Sequence, residues 1–229
     1  MAEPVIPRPA ATVILLRRGG RHRDKADHGF EVLMLRRGAA ARFMPGVWVF
    51  AGGVVDPADR EANRTGDSPN AAIDPDELAH RACGARELAE EAGVEIEATA
   101  LLPWSRWITP EQVPARFDTR FYVALAPAHC TPEPDGVEMD AARWMAPATA
   151  LEESAADRFE LSFPTIKHLE ELRAYTDADA VLENALTRPV VPLTPRVVGT
   201  EDDWRIVLPG EPGYEDAAEI PSRPPSSAP

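Results

Sequence analysis

One short stretch, RELAEEAGV at residues 86–94, constrains this chain more than any other. On an α-helix, residues three and four apart share a face, so the carboxylates of Glu87, Glu90 and Glu91 converge there and repel one another. Arg86 is the only cation in the stretch and cannot neutralise all three. A run of glutamates is usually a solvated helix face, but these lie near a helix C-terminus, where the macrodipole favours cations. Two interpretations stay open from the local sequence: a solvated face, or ligands of a hard divalent cation such as Mg²⁺ or Mn²⁺.

The helix that carries these glutamates has signals at both ends. Asp74 suits the N-cap and Pro75 the first helical position, and Glu77 completes a pattern like a capping box. Gly93 suits the left-handed residue that ends a helix. Small apolar residues at helical spacing predict a stripe that packs closely on a sheet, with the glutamates largely off it: Leu78, Ala82, Ala85, Ala89 and Ala92.

The rest of the chain predicts an α/β fold. Apolar, β-prone runs cover residues 11–18, 30–37, 46–56, 116–127 and 136–147, and the third contains the glycine pair Gly52-Gly53. Residues 57–74 are polar and rich in turn formers, which predicts a surface loop. Three helices are predicted within 148–159, 164–175 and 177–186, and a hairpin from 190–198 and 204–209. Residues from 209 on are rich in Pro, Ser and acidic groups and predict a mobile tail.

Composition limits the class of partner. The 229 residues carry a formal net charge of −14, which disfavours a protein that acts mainly on nucleic acid. A small phosphorylated ligand is still compatible, because a bound metal or a local basic patch overrides the overall field. The apolar run near the N-terminus is too short to span a membrane and lacks a preceding basic region, so we expect no membrane partner and a cytoplasmic protein. Cys83 and Cys130 do not have zinc-ligand spacing.

The glycine pair followed by RELAEEAGV resembles the Nudix box, G-x(5)-E-x(7)-R-E-U-x-E-E-x-G-U with U aliphatic. Residues 86–94 match every fixed position of its second half. The first half departs from the pattern: Asp59 stands where the first glutamate is expected, and residues 60–85 are 26 residues where the family has seven. Asp59, Asp76 and Glu77 are all candidates for the missing acidic position.

The resemblance implies a Nudix-type α/β/α sandwich with a mixed curved sheet over residues 8–155, with an insertion at about 57–74. A helical and hairpin extension over 156–208 would pack on it, and 209–229 would form the tail. The tract RFMPGVWVFAGGVVD, together with WITPEQVPARFDTRFYVA and E-x-x-x-x-R-W, is similar to a bacterial branch related to peroxisomal acyl-CoA diphosphatases.

The resemblance also implies roles for particular residues. Glu87, Glu90 and Glu91, with the Gly53 carbonyl, would bind Mg²⁺ or Mn²⁺, and Arg86 would orient the carboxylates while one of them, such as Glu87, activates water. Glu138, in the E-x-x-x-x-R-W segment, is the candidate for a further catalytic glutamate, against the alternative of a surface residue at a strand end. The residues predicted to contact substrate are Arg36, Arg37, Arg42, Gly52 and Phe117.

The implied activity is hydrolysis of a diphosphate bond in a small nucleoside-diphosphate-linked substrate such as CoA or acyl-CoA. The alternatives are an ADP-ribose or NADH pyrophosphatase with the same metal ligands, and a non-catalytic Nudix module that binds a nucleotide to regulate a partner. The resemblance leaves a homodimer open.

Overall fold

A computed structural model describes residues 5–19, 29–41, 44–61, 73–111, 113, 115–199 and 204–215. The strands within them are β1 Arg8–Arg18, β2 Phe30–Arg37, β3 Trp48–Val49, β4 Ala51–Val54, β5 Leu102–Ile108, β6 Phe117–Leu125, β7 Met139–Met145, β8 Pro192–Leu193, β9 Arg196–Gly199 and β10 Trp204–Val207. The α-helices are α1 Pro57–Glu61, α2 Pro75–Ala92, α3 Pro147–Ala155, α4 Phe163–Leu172 and α5 Ala178–Thr187, with a 3₁₀ turn at Ala98–Ala100.

Strand β1 organises a mixed sheet. Along its length it pairs with β6 in parallel, and β5 and then β8 continue the sheet beyond β6. β4 pairs antiparallel with the first half of β1, and β2 pairs with its last residues. β3 pairs with β2, whereas the next strand, β4, pairs with β1. The chain therefore changes its pairing partner at Phe50, just before the two glycines.

Alternation along β1 divides the core into two clusters, because successive strand residues point to opposite faces. Ile14 and Leu16 belong to a cluster shared with α3, α4 and α5. Val13 and Leu15 belong to the other, which includes the buried residues of α2. Helices therefore cover both faces of the sheet, which confirms the predicted α/β/α sandwich with a C-terminal helical extension.

Helix α2 begins and ends as predicted, but its buried face differs from the predicted stripe. The Asp74 side chain accepts a hydrogen bond from Asp76 N at 2.8 Å, and Gly93 caps the C-terminus with φ of 64°. Ala82, Ala85 and Ala89 are only partly buried. Leu78 and Ala92 of that stripe are buried as predicted, and the other buried residues of the helix are Ala79, His80, Cys83, Gly84, Leu88 and Glu91. A Cβ at Gly84 would lie 2.9 Å from Val13 Cγ2, so the close approach depends on this glycine.

Two local predictions were wrong in part. Residues 57–61 form helix α1, so the surface-loop interpretation of 57–74 fails at its beginning, and residues 62–72 lie outside the described residues. The predicted hairpin is β9–β10, but Pro192–Leu193 pairs with β5 in the main sheet instead of joining it. The tail prediction covers residues 209–229, and of these the structure describes 209–215, where the Tyr214 hydroxyl donates to Thr194 O at 2.9 Å. The division into domains stays a prediction.

Candidate functional site

A cleft of about 620 Å³, called the carboxylate cleft here, lies where α2 meets β4 and β6. Gly52 and Gly53 of β4 form part of its wall, and Phe117 and Phe121 of β6 form another. The charged side chains that line it are Arg37, Arg86, Glu87, Glu90, Glu91 and Glu138. Nearly all the predicted site residues thus meet in one place.

Neither glycine of the pair leaves room for a side chain. A Cβ at Gly52 would lie 2.6 Å from Thr12 Oγ1 of the neighbouring strand β1, and a Cβ at Gly53 would collide with the Glu87 carboxylate. A side chain at Gly53 would therefore displace a carboxylate of α2, whereas one at Gly52 would push β4 away from β1, since real Cβ atoms do not come so close to their neighbours.

Glu91 is the most buried of the box carboxylates, with 4% of the residue exposed. Its Oε2 accepts a hydrogen bond from Gly52 N at 2.9 Å. Burial raises its pKa to about 8, the negative charge of Glu87 adds to the rise, and the Gly52 N–H and Arg37 oppose it. Burial likewise raises the pKa of Glu87, with Arg86 opposing it.

Arg86 holds the cluster together. Its Nη1 donates to Glu87 Oε1 and to Glu90 Oε2, both at 2.8 Å. Its Nε and Nη2 bind the two carboxylate oxygens of Asp59 at 3.0 and 3.1 Å, a bidentate geometry that suits the planar guanidinium. Asp59 is 4% exposed and belongs to α1, whose presence brings this carboxylate to Arg86.

Of the three candidates for the first acidic position, Asp59 is the one whose carboxylate binds Arg86 beside the box glutamates. Asp76 and Glu77 point elsewhere: both bind Arg120 of β6, Glu77 Oε2 at 2.7 Å, and Glu77 also accepts from Arg81 at 2.8 Å. The signal for Asp59 was present in the sequence, because five residues separate it from Gly53, as the motif requires, with an aspartate in place of the glutamate.

The predicted substrate-contact residues divide into three groups. Gly52, Arg37 and Phe117 line the cleft. Arg36 is not among the cleft-lining residues: it binds Asp140 at 2.6 Å and lies over the Trp48 ring, because neighbouring strand residues point to opposite faces. Arg42 lies outside the described residues.

Sequence reasoning missed the contribution of α4 to this site. Ser162 immediately precedes α4, and Pro164 and Thr165 lie in its first turn, and all three line the cleft opposite α2. No local motif marks these residues. They reach the cleft because α4 packs on the sheet, where the ring of His168 in α4 stacks on that of Phe121 in β6 with centroids 4.1 Å apart.

The donor set suits a hard cation in kind. Carboxylate oxygens are the preferred ligands of Mg²⁺ and Mn²⁺, and Glu87, Glu90, Glu91 and Glu138 share one cleft with two arginines. As the side chains stand, Arg86 occupies oxygens of Glu87 and Glu90. No three Asp, Glu, His or Cys side chains in the described ranges already surround a common metal position.

Known proteins are similar in sequence to this chain over most of its length. A sequence model described as NUDIX domain matches residues 6–163. A Caenorhabditis elegans protein named "Putative nudix hydrolase 7" is 28% identical over 73% of this chain, and the chain spans 64% of that relative's length. The human acyl-coenzyme A diphosphatase NUDT19 is 24% identical, over 86% of this chain and 76% of the human protein.

A solved structure is also similar over most of the chain. The crystal structure of a NUDIX hydrolase from Alicyclobacillus acidocaldarius superimposes with a TM-score of 0.66 and 28% identity, covering 82% of this chain and 99% of that one. In the part of the chain that the structure describes, no helix has the length and apolarity needed to cross a membrane.

Proposed function

The chain belongs to the Nudix hydrolase family, whose members act on nucleoside diphosphate derivatives, and on that premise we propose that it hydrolyses the diphosphate bond of CoA or an acyl-CoA with Mg²⁺ or Mn²⁺. The observation that carries the proposal is the convergence of four glutamates, two arginines and the glycine pair in one cleft. A diphosphate needs positive charge beside it before water can attack phosphorus.

Glu87, Glu90 and Glu91, with the carbonyl of Gly53, would hold the metal. When bound, it supplies the charge that neutralises the diphosphate and lowers the pKa of water. The partly and fully buried positions of Glu87 and Glu91 fit this role, because burying negative charge without a compensating cation is unfavourable.

The remaining side chains have separate tasks in this proposal. Arg86 positions Glu87 and Glu90 through its bond to Asp59 and stays protonated throughout, since hydrogen bonding to Asp59 raises its pKa further. Arg37 lies near Glu91 and lines the cleft, where it would bind a substrate phosphate. Glu138 is exposed at the cleft rim and would accept a proton from the attacking water.

The choice of CoA rests on two similarities. The human relative is named an acyl-coenzyme A diphosphatase, and it covers most of this chain. The tract around the glycine pair and the E-x-x-x-x-R-W segment is similar to the same branch.

The test is phosphate-ester release from CoA, acetyl-CoA, longer acyl-CoAs, ADP-ribose, NADH and nucleoside triphosphates, each with Mg²⁺, Mn²⁺ or EDTA. We expect metal-dependent cleavage that favours the CoA species. Glu90→Gln should remove turnover while the protein stays folded, and the matched control Glu95→Gln, at an exposed position beyond the helix, should keep it.

The other outcomes are equally informative. Preference for ADP-ribose or NADH would overturn the CoA assignment and leave the metal mechanism. Binding of a nucleotide without turnover under any metal would identify a regulatory module and overturn the enzymatic proposal.

A further inference from the structure

A second cavity, of about 310 Å³, adjoins the carboxylate cleft. Its walls are mainly apolar and include Met44, Trp107, Phe163, Val197 and Ile206. We call it the hairpin cavity, because β9 and β10 supply Val197 and Ile206. Its volume falls in the range of small-molecule sites.

The two cavities share part of their walls. Phe117, Phe121 and Val49 line both, and so does Arg37, which thus lies at the boundary between them. A single ligand with a charged group in the carboxylate cleft is therefore well placed to extend an apolar part past these shared residues into the hairpin cavity.

The outer wall of the hairpin cavity is fixed to the domain. β8 leads into the hairpin and pairs with β5 in the main sheet, where Leu193 of β8 lies opposite Trp107 of β5. Val207 is 3% exposed, and Arg196 Nη1 donates to Tyr214 O at 2.7 Å. This wall lies beyond residue 163, where the NUDIX domain match ends.

We infer that the hairpin cavity binds the acyl chain of an acyl-CoA whose diphosphate lies in the carboxylate cleft; this rests on the function proposed above. An unbranched aliphatic chain gains affinity from each methylene group removed from water, and the apolar walls offer that burial. ADP-ribose and NADH have no aliphatic chain with which to gain affinity in this way.

The first experiment varies chain length. Binding of CoA, hexanoyl-CoA and dodecanoyl-CoA to the full chain is measured by calorimetry in EDTA, where turnover is absent, and kcat/KM is measured separately with Mg²⁺. We expect the dissociation constant to fall at least about tenfold from CoA to dodecanoyl-CoA, since several methylenes are buried.

The second experiment fills the cavity. Ile206→Trp should lower the ratio of kcat/KM for dodecanoyl-CoA to that for CoA by about tenfold, because the indole occupies the space of the chain. Val191→Trp is the control, since Val191 is 72% exposed in the segment before β8, and it should leave the ratio unchanged. If Ile206→Trp does not fold, Ile206→Ala should weaken dodecanoyl-CoA binding instead.

The outcomes separate this inference from the proposed function. CoA species cleaved at rates and affinities independent of chain length, and of residue 206, would overturn the acyl site alone. Cleavage of ADP-ribose or NADH with no cleavage of any CoA species would overturn the proposed substrate, and the acyl site with it.

Discussion

Helix α2 carries acidic side chains near both ends, and the two groups have different surroundings. In the first turn, Asp76 and Glu77 face Arg60, Arg81 and Arg120. Near the C-terminus, Glu87, Glu90 and Glu91 face Arg86, itself shared with Asp59, and Arg37 at longer range. The first group is matched by cations, and the second has an excess of negative charge.

The pKa directions follow this difference. Burial alone would raise the pKa of Asp76, but the hydrogen bond from Arg60 and the charges of His80 and Arg120 leave it below its ordinary value. Burial raises the pKa of Glu91 to about 8, and its partners do not compensate. The comparison teaches that paired carboxylates stabilise the fold, whereas carboxylates left in excess mark where a cation is expected.

Glu91→Gln should have the largest effect. A neutral amide resembles the protonated acid, so folding stability should be retained, while kcat/KM should fall by more than about 100-fold because a metal ligand is lost. Steady-state kinetics with Mg²⁺, alongside a thermal melt, check both expectations. Full activity in this variant would show that the excess charge at this end of the helix has no catalytic role.

Glu77→Gln should have the opposite pattern. Glu77 accepts hydrogen bonds from Arg81, Arg120 and the Tyr122 hydroxyl, so the variant should lose about 2 kcal/mol of unfolding free energy and keep its kcat/KM. Urea unfolding measures the loss. Glu183→Gln, exposed on α5, is the control and should change neither quantity. Reduced activity in a folded Glu77 variant would break the distinction between the two groups.

Asp59→Asn tests whether α1, through Asp59, positions Arg86 beside Glu87 and Glu90. Losing the charge that positions Arg86 should lower kcat about tenfold with little change in KM, and Asp59→Glu should restore part of it. Asp56→Asn, exposed and nearby, serves as the control. An equal loss in the Asn and Glu variants would indicate that Asp59 acts only through packing.

The smallest effect concerns pH. The folded-state pKa of Glu91 is raised above 4.5 to about 8, so the metal competes with a proton, and Mg²⁺ affinity should increase about fivefold from pH 7 to pH 8. Calorimetry in buffers of different ionisation enthalpy detects the released proton. Glu91→Gln should remove this dependence, and a wild-type affinity that is flat with pH would contradict the assignment.

The same shift has a consequence for the metal-free protein. The unfolded chain ionises Glu91 near pH 4.5, whereas the folded chain holds the proton up to about pH 8. Stability from this group is therefore present below pH 4.5 and is lost as the pH rises towards 8. Urea unfolding of wild type and Glu91→Gln across this range compares them directly.

Local signals were the reliable part of the sequence. The caps at Asp74 and Gly93 depend on hydrogen bonds within a few residues, so both ends of α2 could be predicted. The alternating strands could also be predicted, and the glycine pair recognised in one of them, because those patterns likewise lie within a few residues. The buried face of α2 was not, because the approach at Gly84 depends on Val13 of β1 and the inward position of Glu91 depends on Gly52 of β4, both distant from α2 in sequence.

The sequence by itself determined the capped helix, its three convergent glutamates, the arginine beside them and the family they indicate, because each rests on spacing within one element. Only the tertiary structure decided that Asp59 and not Asp76 binds Arg86. It also decided that Arg37 faces the cleft while Arg36 turns away. Finally, it decided that α4 and the C-terminal hairpin complete the two cavities. Those outcomes depend on which surfaces meet when distant segments pack, and no local pattern encodes that.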